Sequence, residues 1–371
     1  MTAASTCFTR SPPASIRIIP SMAAPSKQVG LPVRLRAGTM GAKNFSMWET
    51  PMGTGWRIPC ALALALGATP AAAQKVWRHA IIEAKSDAGF AMMVTRGFAE
   101  KQGLKLEIQQ IKADQIGLKA LLAGELDSYE GGPGGAIVAA ARGADLKILG
   151  CHWPGLVHGL FARESVAKVE DLRGKNIAIS SPGALPDLLI RAVLEKQGIA
   201  PTEVKFANMG SDTDRYKALT VGVVDAAIVS TEYLPIAPKT VTLLATGREA
   251  LPSFMRVCMI TSGKALADKP DEVVRFLAAE MSALRHAVAN RAEEIDLTRE
   301  ITKAKPDDPR PGFIFDEATR HKDIDPEISL PMEKLAWMQE MLIKNGSLPK
   351  PVDLAKVVAP GVRAKALELA K

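Results

Sequence analysis

Short apolar runs that end in turn residues alternate along this chain with longer stretches whose apolar positions recur every three to four residues. That alternation is the signature of strands followed by helices. The run His79-Ala80-Ile81-Ile82-Glu83 stops at Ser86-Asp87-Ala88-Gly89, and a helical pattern then reaches Ala99-Glu100-Lys101-Gln102-Gly103-Leu104. A second strand covers 105–111, and Lys119-Ala120-Leu121 leads on to Gly124 and Asp127. The same order then returns. Asn176-Ile177-Ala178-Ile179-Ser180 runs into Ser181-Pro182-Gly183, and a helix ends at Glu195-Lys196-Gln197-Gly198-Ile199. A strand over 204–209 precedes Lys217-Ala218-Leu219, Gly222 and Asp225. The Glu-Lys-Gln-Gly segments are offset by 95 residues and the Lys-Ala-Leu segments by 98. Two ordered matches on one strand–turn–helix pattern make the body an internal duplication.

Each copy is a βαβα unit, with Gly103 and Gly198 placed where a helix end wants a left-handed residue. The predicted class is α/β: two lobes, each a mostly parallel sheet flanked by helices. Segments near 160–163 and 257–261 are the expected crossings. Lobe 1 then combines 74–162 with 256–371, and lobe 2 is 163–255. Amphipathic helices over 271–290 and 331–345 are expected to cover lobe 1, and the Pro-rich stretch 305–311 reads as a loop. Ligands of open α/β sheets bind beyond the carboxyl ends of the strands. Facing lobes therefore surround one cleft with helix starts at 86–89, 131–135, 180–183 and 210–214, where unpaired backbone N–H groups gather.

The amino-terminal 73 residues read differently. Pro59-Cys60-Ala61-Leu62-Ala63-Leu64-Ala65-Leu66-Gly67-Ala68 is too short to span a bilayer, follows Arg57 and precedes Ala71-Ala72-Ala73. This is the pattern of a secretory signal peptide, with a mature start expected at Gln74 and a destination in the periplasm. The full chain of 371 residues is 47% apolar and 23% charged, a globular balance that excludes disorder. Its formal charge of +7 comes mostly from the leader, which holds seven Lys or Arg and one acid. The body keeps 40 basic against 39 acidic residues, a balance that argues against nucleic acid and acidic membrane as partners. Cys151 and Cys258 remain in the mature chain. They read as two buried small hydrophobes, although an exported compartment also permits a disulfide.

With these features in place, the chain resembles a known family. The segments are Ala120-Leu121-Leu122-Ala123-Gly124-Glu125-Leu126-Asp127, Gly134-Gly135-Ala136, Arg142-Gly143-Ala144-Asp145-Leu146-Lys147, 169–178 with its Asp171-Leu172-Arg173-Gly174-Lys175 element, and 217–226. They look like the nitrate/sulfonate/taurine/thiamine-precursor group of ABC-transporter solute-binding proteins. The resemblance covers 75–263 well and the C-terminal helices loosely. It implies a type II periplasmic-binding fold that closes on a small-molecule solute and docks transiently, as a monomer, on a membrane permease.

No catalytic motif accompanies this pattern: there is no G-x-S-x-G, no phosphate loop and no H-E-x-x-H. Neither cofactor nor metal is expected, and the five histidines (79, 152, 158, 286 and 321) read as core or surface residues. A fungal-type pyrimidine-precursor synthase shares the implied fold, but its cysteine-rich iron motif is not matched. Gly131-Gly132-Pro133-Gly134-Gly135 lacks the Lys and hydroxyl of a phosphate loop and reads as a strand-to-helix turn, with Gly132 and Gly134 facing solute.

The other candidate ligand contacts lie in the cleft loops. Ser86 and Asp87 form a capping pair of which one is free for solute, and Ser180 and Ser181 form another before Gly183. Ser211 and Asp212 open a polar helix start in which Asp214 serves the helix dipole. Trp153 is placed either to lie on a planar solute or to pack at the hinge. Thr231 and Glu232 follow the last strand of lobe 2. Arg215 is the one arginine expected in these loops, while Asp87, Asp212 and Glu232 raise the cost of an anion. The expected solute is therefore neutral, zwitterionic or amine-bearing.

Overall fold

Ten strands among the described residues sort into two five-stranded sheets. The structure, a computed structural model, describes residues 75–82, 85–111, 114–180 and 182–371. The expected leader and Ser181 lie outside the described residues. The strands are β1 (Lys75–Ile82), β2 (Leu104–Ile111), β3 (Ser128–Gly131), β4 (Leu146–Trp153), β5 (His158–Arg163), β6 (Asn176–Ile179), β7 (Lys205–Asn208), β8 (Ala226–Ser230), β9 (Val241–Thr246) and β10 (Val257–Ser262).

The first sheet has the order β2-β1-β3-β10-β4 and the second the order β7-β6-β8-β5-β9. Three strands of each repeat lie parallel, and the fourth position is filled by an antiparallel strand, β10 or β5. The repeats seen in sequence are thus equivalent sheets. Gly103 and Gly198 take the expected positive φ, 72° and 64°, but the single helix expected before Gly103 is broken into helix Ala88–Met92, a 3-10 turn Met93–Thr95 and helix Phe98–Lys101, with Gly97 at φ 89° at the break. β3 and β8 are buried along their whole length, as strands covered on both faces must be.

Strand β5 belongs to the second sheet and β10 to the first. The chain therefore passes between sheets at 154–157 and again between β9 and β10, whereas the segments read as crossings, 160–163 and 257–261, lie inside strands. A strand that pairs antiparallel with its own sheet looks, in sequence, like an exit from it.

The reading of the cysteines as two unlinked hydrophobes is corrected: Cys151 and Cys258 form a disulfide with an S–S distance of 2.04 Å. β4 and β10 are neighbours with an irregular register between Val257 and Met259, and this sets the two sulfurs opposite each other. Helix Pro270–Ala289 buries Val273, Phe276, Leu277, Met281 and Leu284 in the core of the first lobe. Helix Met332–Lys344 buries Leu335, Met338 and Leu342. The expected loop over 305–311 ends early, because Pro311 sits in the first turn of helix Arg310–Arg320, where its missing N–H costs nothing.

Candidate functional site

A cleft of about 920 Å³ lies between the sheets and is lined from both lobes. The first lobe supplies Lys85 and Asp87 after β1, Glu130 at the end of β3, Gly132 and Gly134 at the start of helix Pro133–Ala141, and His152 and Trp153 at the end of β4. The second supplies His158, Ser180, Gly183, Ser211, Asp212 and Arg215. Chain direction explains the gathering: parallel strands deliver their carboxyl ends to one edge, and the chain must turn there into the next helix. Gly131 makes one such turn possible, since a Cβ there would lie 2.5 Å from the Tyr129 ring.

Asp212 is the electrostatic centre of the cleft. Its carboxylate pairs with Lys85 from the opposite lobe and with Arg215, and His158 Nε2 lies 3.7 Å away. Burial alone would raise the Asp212 pKa, but Lys85, His158 and Arg215 together hold it well below the usual carboxylate value. Arg215 is buried and also donates from Nε to the Ile228 carbonyl at 2.6 Å. Burial lowers the His158 pKa against the pull of Asp212.

A second ion pair closes the first-lobe wall. Arg256 Nη1 sits 2.6 Å from Asp87 Oδ2 and its guanidinium lies 4.5 Å from the Trp153 ring centroid. Burial raises the Asp87 pKa, and Arg256 and Lys85 more than reverse this. Phe90 meets the same indole edge-to-face at 5.7 Å.

The third group is not paired in this way. Glu130 Oε1 has no hydrogen-bond partner and lies 3.7 Å from both His79 Nε2 and His152 Nε2. Burial lowers the pKa of His152. Asp114 accepts the Gly132 amide on Oδ2 at 3.3 Å, while its buried Oδ1 has no partner. Among the described residues, no group of three His, Cys, Asp or Glu is placed to hold a metal.

The candidates read from sequence divide accordingly. Asp87, Gly132, Gly134, Trp153, Ser180, Gly183, Ser211 and Asp212 are brought together in the lining, and Ser181 lies outside the described residues. Three candidates do not line the cleft. The Ser86 amide donates to Glu232 Oε2 at 3.2 Å, joining the lobes behind it. Thr231 is buried with its amide and hydroxyl both donating to the Val157 carbonyl. Glu232 is buried, and that burial together with the nearby Asp87 raises its pKa.

The capping readings also change. Asp87 stands at the start of helix Ala88–Met92 without a side-chain cap bond, because Arg256 takes its carboxylate. Ala184, not a serine, is the cap residue of helix Leu185–Lys196, and Asp187 Oδ2 accepts the Gly183 amide at 2.8 Å. Ser211 does cap helix Asp212–Thr220, accepting from the Asp214 amide at 3.2 Å. Trp153 is 3% exposed and packed between Arg256 and Phe90. Arg215 is joined in the lining by Arg256.

Sequence reasoning missed Lys85, Asp114, Glu130, His152, His158 and Arg256. One signal was available for Glu130: it is a carboxylate at the carboxyl end of a strand, one residue before the glycine turn. Arg256 carried none, since β10 reaches β4 only through the long return from the second lobe.

Comparison with known proteins places this geometry. The pattern of the family described as NMT1/THI5 like matches residues 86–294. A protein of Brucella abortus strain 2308, named as a candidate binding protein, is 25% identical over 277 residues, covering 71% of this chain and 83% of its own length. The periplasmic aliphatic sulphonate binding protein SsuA of Escherichia coli superposes with a TM-score of 0.62 at 18% identity, covering 77% of this chain and 92% of that one. The ligand binding component of an ABC-type import system from Staphylococcus aureus, solved with zinc bound, gives 0.63 at 14% identity over 79% and 99%. These likenesses show the two-lobe periplasmic-binding fold.

Proposed function

This chain belongs to the NMT1/THI5-like family, and from that premise we propose that it is the extracytoplasmic solute-binding component of an ABC importer. It captures a small organic solute between its lobes and delivers it to a membrane permease, without chemistry of its own. The observation that carries this reading is the cleft. Neither lobe encloses it alone, and Lys85 already meets Asp212 across it. A solute bound there interacts with both lobes at once and so favours the arrangement that holds them together.

Export belongs to the same proposal: a signal peptide ending near Ala73, a mature start at Gln74 and a periplasmic location. Two observations support it. The sulphonate-binding neighbour is described as periplasmic, and the Cys151–Cys258 disulfide suits an oxidising compartment. No helix among the described residues is long and apolar enough to cross a membrane. The proposed contacts are Asp87, Gly132, Gly134, Trp153, Ser180, Gly183, Ser211 and Asp212. The protein works as a monomer, with lobe 1 formed by the chain around the first sheet and lobe 2 by the chain around the second.

Solution scattering tests the reading. Adding the solute that copurifies with the protein to protein stripped of it is expected to reduce the radius of gyration, with one solute bound per chain and recovered unchanged. Conversion of the solute to a product overturns the receptor reading in favour of an enzyme.

A further inference from the structure

We propose that the solute is a cation, carrying an ammonium, amidinium or guanidinium group on a small organic frame, and that Glu130 is its anchor. This rests on the receptor reading above.

The cations and donors of the cleft are already engaged. Lys85 and Arg215 are both engaged by Asp212, and Arg256 by Asp87. Arg215 places further N–H groups on the carbonyl oxygens of Ile228 and Gly210. No Lys or Arg in the lining is left without a carboxylate. Three backbone donors that an anion could use at helix starts are occupied as well. The Gly132 amide is on Asp114, the Gly183 amide on Asp187 and the Asp214 amide on Ser211. An anionic head group would have to displace these contacts to use those groups.

The acceptors show the opposite imbalance. The lining holds Asp87, Asp114, Glu130, Asp212 and Asp214 against Lys85, Arg215 and Arg256, with His152 and His158 beside them. Glu130 is 5% exposed, and its Oε1 is buried with no donor. The two histidine nitrogens at 3.7 Å are beyond hydrogen-bond range. Asp114 Oδ1 is buried and undonated in the same cleft. A buried carboxylate oxygen without a donor is costly, and it persists in native structures where a ligand, ion or water completes it. A charged N–H group completes it with the strongest class of hydrogen bond. The Trp153 face is already covered by Arg256, so recognition by charge takes the place of stacking on that ring.

The test uses mature protein stripped of bound solute and two sets of small probes of matched size. Benzylamine, benzamidine and agmatine form the cationic arm; benzenesulfonate, ethanesulfonate and benzoate form the anionic arm. At least one cationic probe is expected to raise the thermal midpoint of wild type, and Glu130→Gln is expected to weaken its Kd at least tenfold. Asp114→Asn serves as a second variant with the same expected direction of binding. Any solute that heat releases from freshly purified protein is sorted by ion exchange, and retention on a cation exchanger supports the proposal.

An anionic probe that binds while the cationic arm stays silent overturns the charge assignment and leaves the receptor reading in place. So does cation binding that Glu130→Gln leaves unchanged, or a released solute that a cation exchanger does not retain. If neither arm binds and no small molecule is released, the receptor reading itself falls and takes the charge assignment with it.

Discussion

Replacing Asp212 by Asn removes the one negative charge that Lys85, Arg215 and His158 share. Arg215 is 3% exposed, so its guanidinium cannot turn to water for compensation. The variant leaves it with carbonyl oxygens alone. Breaking a buried pair from one side costs about 3–5 kcal/mol. The loss from Lys85→Met is expected to be smaller, about 1 kcal/mol, because that lysine is partly solvated. Asp212 also sets a pH signature. Its folded pKa lies well below the ordinary value of 3.8, so its stabilisation is present above that value and lost as pH falls through the folded one. Urea unfolding followed by near-ultraviolet circular dichroism at a series of pH values measures both effects. Asp212→Asn is expected to be less stable by the full amount at pH 7 and to converge on wild type below about pH 4. A variant within 1 kcal/mol of wild type at pH 7, or a gap that does not narrow on acidification, refutes the assignment of Asp212 as the charge centre.

Three further outcomes follow from buried groups. Burial pushes Glu294 up to about 8, so the folded state keeps a proton that the unfolded chain releases near 4.5. Stability is therefore expected to fall by about 1.4 kcal/mol per pH unit across that window, and Glu294→Gln is expected to flatten the slope in urea titrations. The disulfide closes a loop with a sequence separation of 107. Replacing Cys151 and Cys258 by Ala is expected to cost about 4 kcal/mol in urea and to abolish the mass change on reduction. Arg256→Gln removes the partner of Asp87 and the cation over Trp153. A loss of about 3 kcal/mol is expected, with a shift in tryptophan emission, and unchanged emission would argue against that contact.

The duplication was legible because each copy repeats a complete unit of local signals: an apolar run, a turn, an amphipathic helix and a closing glycine. Those signals act within about thirty residues of one another, and Gly103 and Gly198 take the positive φ they imply. The location of the cleft followed from strand direction. Its chemistry followed less well, because ion pairs are chosen by groups far apart in the chain. Asp87 read as one of a capping pair with Ser86, a local choice, whereas Arg256, the residue before β10, claims its carboxylate. Lys85 and Asp212 are 127 residues apart and come from different lobes. Cys151 and Cys258 were hidden for the same reason, since their pairing depends on an antiparallel neighbour from the returning chain. The expectation that the cleft disfavours an anion rested on Asp87, Asp212 and Glu232. In the structure the first two are neutralised and the third does not line the cleft, so the weight passes to Glu130 and Asp114.

Native mass spectrometry of the mature protein, freshly purified from the exported fraction, separates a receptor from the alternatives. A receptor that closes on its solute is expected to carry one small molecule per chain, released on unfolding with its mass intact and rebound by the refolded protein at one to one. Protein that carries no small molecule and binds none of its cellular solutes, or that returns an altered mass after incubation, would contradict the account.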